Sequence, residues 1–257
     1  MTVAGGSGVE TFLNLERVAG IARTASEAGL VLAFGAIGWP WLLKSLHGGG
    51  AEARARLLAR TQLPEDALPQ LGSWRADAGL LNLIADCILD ARPDTVVEFG
   101  GGTTTLVAAQ CLRLNGIGRL LSFDGVEEFA AQTREMLHAQ GLEAEVRAAP
   151  LAPAPGGRPG QWYQHGPLPE RIDLLIVDGP PWFLHPFGRG AADSLFDRIS
   201  PGGCVILDDA ARPGERIVAR RWRRDWPDFD FRFVAGMAGT LIGIRRAGDI
   251  EGSARRA

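Results

Sequence analysis

Thr95-Val96-Val97-Glu98-Phe99-Gly100-Gly101-Gly102-Thr103-Thr104-Thr105 opens as a short β-branched run, stops at three glycines and resumes at helical spacing from Thr104 to Leu114. That order reads as strand, tight turn, helix. Gly100 and Gly102 stand where the chain reverses, so backbone can approach a ligand closely at the amino end of the helix. The dinucleotide fingerprint needs a third glycine three residues after the second, and Thr105 stands there instead. Glu98 would add negative charge beside a pyrophosphate. The ligand that suits this turn has a cationic end, an adenosine and no phosphate.

Outward from the turn, the chain alternates. Leu80, Leu81, Leu83, Ile84, Cys87 and Ile88 recur at helical spacing and the run stops at Arg92-Pro93, delivering the chain to the first strand. After the turn we expect strand Arg119–Phe123, helix Val126–Gln140, strand Ala144–Arg147 and a Pro/Gly-rich loop Pro150–Gly160. Strand Ile172–Val177, helix Ala191–Ile199, strand Cys204–Leu207 and an Arg-rich helix Gly214–Asp225 follow. Repeated β-α units of this length predict a parallel sheet covered on both faces. Phe229–Val234 and Thr240–Arg245 are joined by a link too short for a parallel crossover and must form an antiparallel hairpin. Asp124, ending the second strand, is placed to accept hydrogen bonds from ribose hydroxyls, with a helix cap ahead of Val126 as the alternative.

The 257 residues, 46% of them hydrophobic, can bury one sizeable core. The formal charge of -3 gives no field that would gather a polyanion, so no nucleic acid partner is expected. Cys87, Cys111 and Cys204 lack metal or disulfide spacing and read as core residues in a reducing cytoplasm. No basic region followed by an apolar run and a cleavage site marks a standard secretory signal. Three parts are expected: an N-terminal helical extension over 1–72, a catalytic domain over 73–247 and a disordered tail over 248–257. The extension begins AGGSG and then carries Phe12, Leu13, Leu15, Val18 and Ile21 at helical spacing. Within it, Ala28–Leu43 carries no charge and holds Trp39 and Trp41. At about 1.5 Å per residue it spans roughly 24 Å, short of a ~30 Å hydrocarbon core, and Pro40 should interrupt it. A buried helix, a subunit contact in a homo-oligomer, a peripheral membrane contact and, despite its length, a true membrane span are the readings it leaves open.

EFGGGTTTL (98–106), SFD (122–124), APL (149–151), WY (162–163), VDGPP (177–181) and LDDAAR (207–212), in that order, resemble a bacterial class I S-adenosylmethionine-dependent methyltransferase. The likeness runs from about Trp74 to Arg246. It implies a Rossmann-like methyltransferase fold: α/β, with a mostly parallel seven-stranded sheet, a C-terminal antiparallel hairpin and helices on both faces. It further implies that Glu98 and the turn of Gly100, Gly101, Gly102 and Thr103 face the methionine part of S-adenosyl-L-methionine. Asp124 would face the ribose, and Ala149, Pro150 and Leu151 the adenine edge.

Asp178 ends the fourth parallel strand, and Asp208 and Asp209 end the fifth. Ligands bind beyond such ends in open α/β sheets, so Asp178 is a candidate for both cofactor binding and catalysis. Three converging carboxylates invite a cation, and metal-dependent O-methyltransferases, which this part resembles, carry ligands at the same two strand ends. Asp178, Asp208 and Asp209 are therefore candidate Mg2+ ligands. In the competing reading Asp178 faces the cofactor, Asp209 pairs with Arg212 and Asp208 caps a turn. His185, in the Pro181–Arg189 loop, is the candidate general base, with a solvated loop histidine as the alternative. Trp162-Tyr163 would line the acceptor pocket or anchor its loop. The function expected is O-methylation of a small hydroxylated acceptor. A nicotinamide-dependent oxidoreductase and a non-catalytic membrane-associated cofactor-binding module are the alternatives.

Overall fold

The computed structural model describes residues 26–247 apart from 42, 45, 46, 73 and 74. The patterns noted within 1–25 and the tail over 248–257 lie outside the described residues. Residues 26–41, and 43 and 44 beyond the undescribed residue 42, form a helix, α1. Helices α2 (Ala51–Thr61) and α3 (Ala78–Ala91) precede β1 (Thr95–Phe99), α4 (Thr103–Asn115), β2 (Arg119–Asp124), α5 (Glu127–Ala139) and β3 (Glu145–Ala148). A hairpin of β4 (Leu151–Pro153) and β5 (Gln161–Tyr163) leads to β6 (Ile172–Val177), β7 (Ile199–Leu207), α6 (Pro213–Asp225), β8 (Phe229–Val234) and β9 (Thr240–Arg245).

One seven-stranded sheet runs β3-β2-β1-β6-β7-β9-β8, with β4 and β5 paired separately. The first five strands are parallel, and β9 runs antiparallel to both β7 and β8, as the short link between β8 and β9 requires. Register creates the site. Phe99 pairs with both Phe123 and Val177, and Val177 with Leu207, so Gly100, Asp124, Asp178 and Asp208 all leave the sheet along one edge.

Each sheet face carries its own apolar cluster. On one, Leu57, Leu81, Ile84, Ile88, Leu106 and Cys111 are buried; on the other, Trp162, Phe196, Trp222 and Phe229. Each large side chain removed from water contributes about 1.5–3 kcal/mol before entropy is counted. Leu57, Leu63 and Leu68 belong to the first cluster, so the boundary expected at residue 72 does not separate two cores. Polar ties reinforce this: Gln110 Nε2 donates to the Thr61 carbonyl, and Asn82 Nδ2 to the carbonyl of Ala53. Asp77 starts α3 by accepting from the amides of Gly79 and Leu80, which satisfies part of the open first turn.

Three local expectations change. The helix expected at Ala191–Ile199 is a 3-10 helix over Gly188–Arg198, and β7 begins directly at Ile199. Gly188 and Gly190 weaken α-helix there, and a side chain at Gly190 would press on Val218. The segment beyond Pro150 is not loop throughout, because β4 and β5 form a hairpin within it. Pro40 does not interrupt α1, in which residues 41, 43 and 44 beyond it are still helical. A proline in the last turn removes a single backbone bond, and Phe34, which meets the Phe187 ring edge-on at 5.1 Å, helps hold the helix in place.

Candidate active site

The glycine turn is tied to its neighbours through backbone. Gly100 N donates to the Phe123 carbonyl, while Asp178 N and Gly179 N both donate to the carbonyl of Phe99. At Gly100 (φ 93°) a Cβ would lie 2.5 Å from Gly179 N, so only glycine lets these two turns meet. Gly102 (φ 140°) opens onto free space instead.

Behind the turn Glu98 is 0% exposed. Its Oε2 accepts from Thr105 Oγ1 at 2.5 Å and from Ser122 Oγ at 2.6 Å, and its Oε1 has no hydrogen-bond partner. Burial pushes the Glu98 carboxyl up to about 7, against the pull of the Ser122, Thr104 and Thr105 hydroxyls. Thr105 Oγ1 also accepts from Gly102 N. The residue that breaks the dinucleotide fingerprint thus clamps the turn to the buried acid.

Asp124 Oδ1 accepts from Val126 N at 2.9 Å, a local turn ahead of α5 and not the expected helix cap, because Val126 is itself the N-cap and no side chain caps it. Burial raises its pKa, opposed by the amides of Val126 and Gly125. Ala149 N donates to the Asp124 carbonyl, and Leu151 lies against Gly125, where a Cβ would sit 3.3 Å from Leu151 Cγ. Ala149, Pro150 and Leu151 therefore flank the Asp124 turn.

Tyr163 sits among these groups. Its ring is 5.2 Å from that of Phe99, and its hydroxyl occupies the space a Cβ on Gly179 would need. Burial raises the phenol's pKa, with Asp124, Asp178 and Glu98 adding to the rise and Arg189 opposing it. The phenol thus stands at the Gly179 turn, beside the ends of β1 and β6.

Asp178, Asp208 and Asp209 do converge, offering oxygens within 4.8 Å of one another. The sequence did not show what else is there. Arg189 NH1 lies 2.9 Å from Asp209 Oδ2 and donates to the Asp208 carbonyl, and Arg189 NH2 is 3.5 Å from Asp178 Oδ1. Arg212 NH1 reaches the same Asp209 oxygen at 2.8 Å. Glu215 is buried nearby, with burial pushing it up to about 7 against Arg189 and Arg212. Burial pushes Asp178 up to about 6, with Arg189 pulling it down and Asp209 pushing it further up. Asp208 is raised further by burial and by Asp209 and Asp178. For Arg189 burial alone would lower the pKa, but Asp209, Asp178 and Glu215 outweigh it and hold the guanidinium charged.

A hard divalent ion needs about six oxygen ligands at roughly 2.0–2.6 Å. Here the Asp209 oxygen already carries two guanidiniums, and Arg189 reaches toward two of the three acids. The donor set does not fit Mg2+.

His185 is buried, and its Nδ1 accepts from Phe187 N at 3.1 Å. Burial lowers its pKa, with Glu27 opposing the fall and Arg221 adding to it. The ring is neutral with its proton on Nε2, its accepting nitrogen is engaged, and it packs against Gly160 and Phe187 rather than the carboxylates. It is a loop-bracing residue in this geometry, not a free base. Arg189 gave no sequence signal. Glu215 did: with Val218, Ala219 and Trp222 it follows the i, i+3, i+4, i+7 pattern of the inward face of α6.

A family model described as a methyltransferase domain matches residues 97–210, from β1 through the Asp209 turn. Among solved structures, the chain is similar to an O-methyltransferase of Streptomyces achromogenes involved in tomaymycin synthesis, in complex with S-adenosylmethionine. That likeness has 17% identity, a TM-score of 0.50 and coverage of 77% of this chain and 92% of that one. A methyltransferase of Podospora anserina bound to S-adenosylhomocysteine is 14% identical at a TM-score of 0.51, covering 96% and 100%. An O-methyltransferase of Bacillus cereus in complex with S-adenosylhomocysteine is 13% identical at 0.50, covering 84% and 100%. The three share its fold, and the matched segment holds the glycine turn, Asp124 and the acidic strand ends together. Residues 97–210 thus match a methyltransferase domain, and the chain has the Rossmann-like fold of these methyltransferases.

Proposed function

We propose that the chain methylates a hydroxyl of a small acceptor without a divalent metal, with Asp178 receiving the hydroxyl proton. The observation that carries this reading is the Arg189 guanidinium seated between Asp178 and Asp209, where a metal-dependent enzyme would need open oxygen ligands. The O-methyltransferases among its structural relatives support the acceptor class.

When bound, S-adenosylmethionine supplies a methyl group on a positively charged sulfur. Glu98 offers its unpartnered Oε1 toward the ammonium end of such a ligand. Gly100, Gly101, Gly102 and Thr103 present backbone at the amino end of α4, Asp124 offers its second oxygen to a ribose hydroxyl, and Ala149, Pro150 and Leu151 border the adenine. Tyr163 walls the crevice between the donor side and the carboxylate side. Asp178 is the accessible acid of its cluster, with a side chain 20% exposed against 6% for Asp209. Asp178 would take the proton of the acceptor hydroxyl, while the bound donor would supply the methyl group to that oxygen and leave as a neutral thioether. Arg189 fixes the orientation of Asp178 and keeps it ionised above pH 6 despite burial.

Activity should rise through about pH 6 as Asp178 ionises. Asp178→Asn should lower kcat by about 10²–10⁴-fold while S-adenosylhomocysteine affinity stays near wild type, and exhaustive chelation should leave the wild type unchanged. Loss of activity on chelation, restored by Mg2+, would refute the metal-free reading.

A further inference from the structure

Helix α1 buries one face and leaves the other uncovered among the described residues. Its inner face packs on the loops that follow β6 and β7: Gly35 lies against the Trp182 ring, Phe34 against Phe187, and Gly38 against Pro213. The cavity left between them is only about 20 Å³, so α1 is seated on the body. Its outer face holds Leu32 (74% exposed), Trp39 (57%) and Leu43 (51%), with Ala28 and Ala36 exposed along the same stripe. No charged residue interrupts the helix between Glu27 and Lys44. Beside Trp182, Leu184 is also exposed. A contiguous apolar patch of this kind marks a docking surface.

Charge selects the occupant. The chain is net -3, yet α6, whose Pro213 underlies α1, carries exposed Arg216, Arg220, Arg221, Arg223 and Arg224. Arg221 lies over the Phe187 ring, which Phe34 of α1 meets edge-on. The acid in the first turn of α6, Glu215, is turned inward and buried, so on the outer surface of this helix only Asp225 opposes five arginines. An apolar stripe bearing a tryptophan, flanked by arginines, matches the layered chemistry of an anionic bilayer surface, where acyl chains lie beneath negative headgroups. No helix among the described residues is long and apolar enough to cross a membrane, so α1 would lie along the surface. We propose that the outer face of α1, with the arginines of α6, docks the protein on an anionic lipid surface.

Full-length protein would be mixed with vesicles of phosphatidylcholine alone or with half phosphatidylglycerol, and partition measured by co-sedimentation and by tryptophan emission. Sedimentation equilibrium without lipid would give the oligomeric state. We expect binding to the anionic vesicles with a blue shift in emission. Leu32→Glu with Leu43→Glu should weaken partition by about a hundredfold or more, and Arg220→Gln or Arg223→Gln by about fivefold each. All four positions are exposed, so S-adenosylhomocysteine binding should be unchanged and serves as the check on folding. Equal binding to both vesicles, or no binding at all, would overturn the proposal. A dimer that the leucine variants dissociate would overturn it too, assigning the face to a second copy.

Discussion

The two halves of the strand-end crevice bury carboxylates in different company. At the ends of β1 and β2, Glu98 is surrounded by hydroxyls from Thr105 and Ser122, and one of its oxygens is left without a partner. At the ends of β6 and β7, Asp178, Asp208, Asp209 and Glu215 share two guanidiniums. Hydroxyls stabilise a buried acid without neutralising it, whereas arginines supply the countercharge outright. The first half therefore still calls for a cation, which a sulfonium amino acid brings. The second already has its countercharge in Arg189 and Arg212, which is the ground for the metal-free proposal.

The largest effect should come from undoing the second half. Arg189→Ala leaves buried acids without their central counterion and should cost about 3–5 kcal/mol of stability at pH 8 in urea unfolding. If the comparison is right, the variant, unlike the wild type, should also gain stability from added Mg2+. A wild type equally stabilised by Mg2+ would erase the distinction between the halves.

Next in size is the pH response of the first half. The folded-state pKa of Glu98 is raised by burial to about 7 from 4.5. The stability tied to its protonated form is thus fully present below about 4.5 and lost as pH rises through 7. Glu98→Gln has no proton to lose, so its stability relative to wild type should improve between pH 5 and pH 8.5 by on the order of 3 kcal/mol. A difference that stays flat with pH would mean that Glu98 is ionised throughout. Smaller still, Asp124→Ala should weaken S-adenosylhomocysteine binding by about 10–100-fold, the loss of one hydrogen bond to a charged acceptor, with little change in unfolding. Smallest, His185→Gln should change kcat by less than about threefold, because the ring braces a loop; a loss approaching 10²-fold would restore it as a base.

The fold was legible where pattern and spacing agree. The TVVEF run, the glycines and the parallel strands that follow were legible because strands buried on both faces leave apolar runs, and the closing hairpin because its link is too short for a parallel crossover, whereas the helix expected at Ala191–Ile199 is a 3-10 helix. The β4–β5 hairpin was hidden by prolines and glycines that are equally at home in loops. In the site, Glu98, Asp124 and Asp178 were visible through their place at strand ends. Arg189 was invisible because its partners lie on other elements, Asp178 just before the same loop and Asp209 across β7. Glu215 was readable from the inward stripe of α6, but the surrounding arginines disguised it as surface charge.

The central claim is that the buried, unpartnered acid behind the glycine turn is there to receive a cationic ligand. Titrating S-adenosylhomocysteine into the protein calorimetrically at pH 7, in two buffers of different ionisation heat, tests it directly. The predicted result is binding with release of about half a proton, because the ligand's ammonium should pull the Glu98 carboxyl below 7, and binding without that release in Glu98→Gln. Proton-neutral binding in both proteins, or no binding by the wild type, would contradict it.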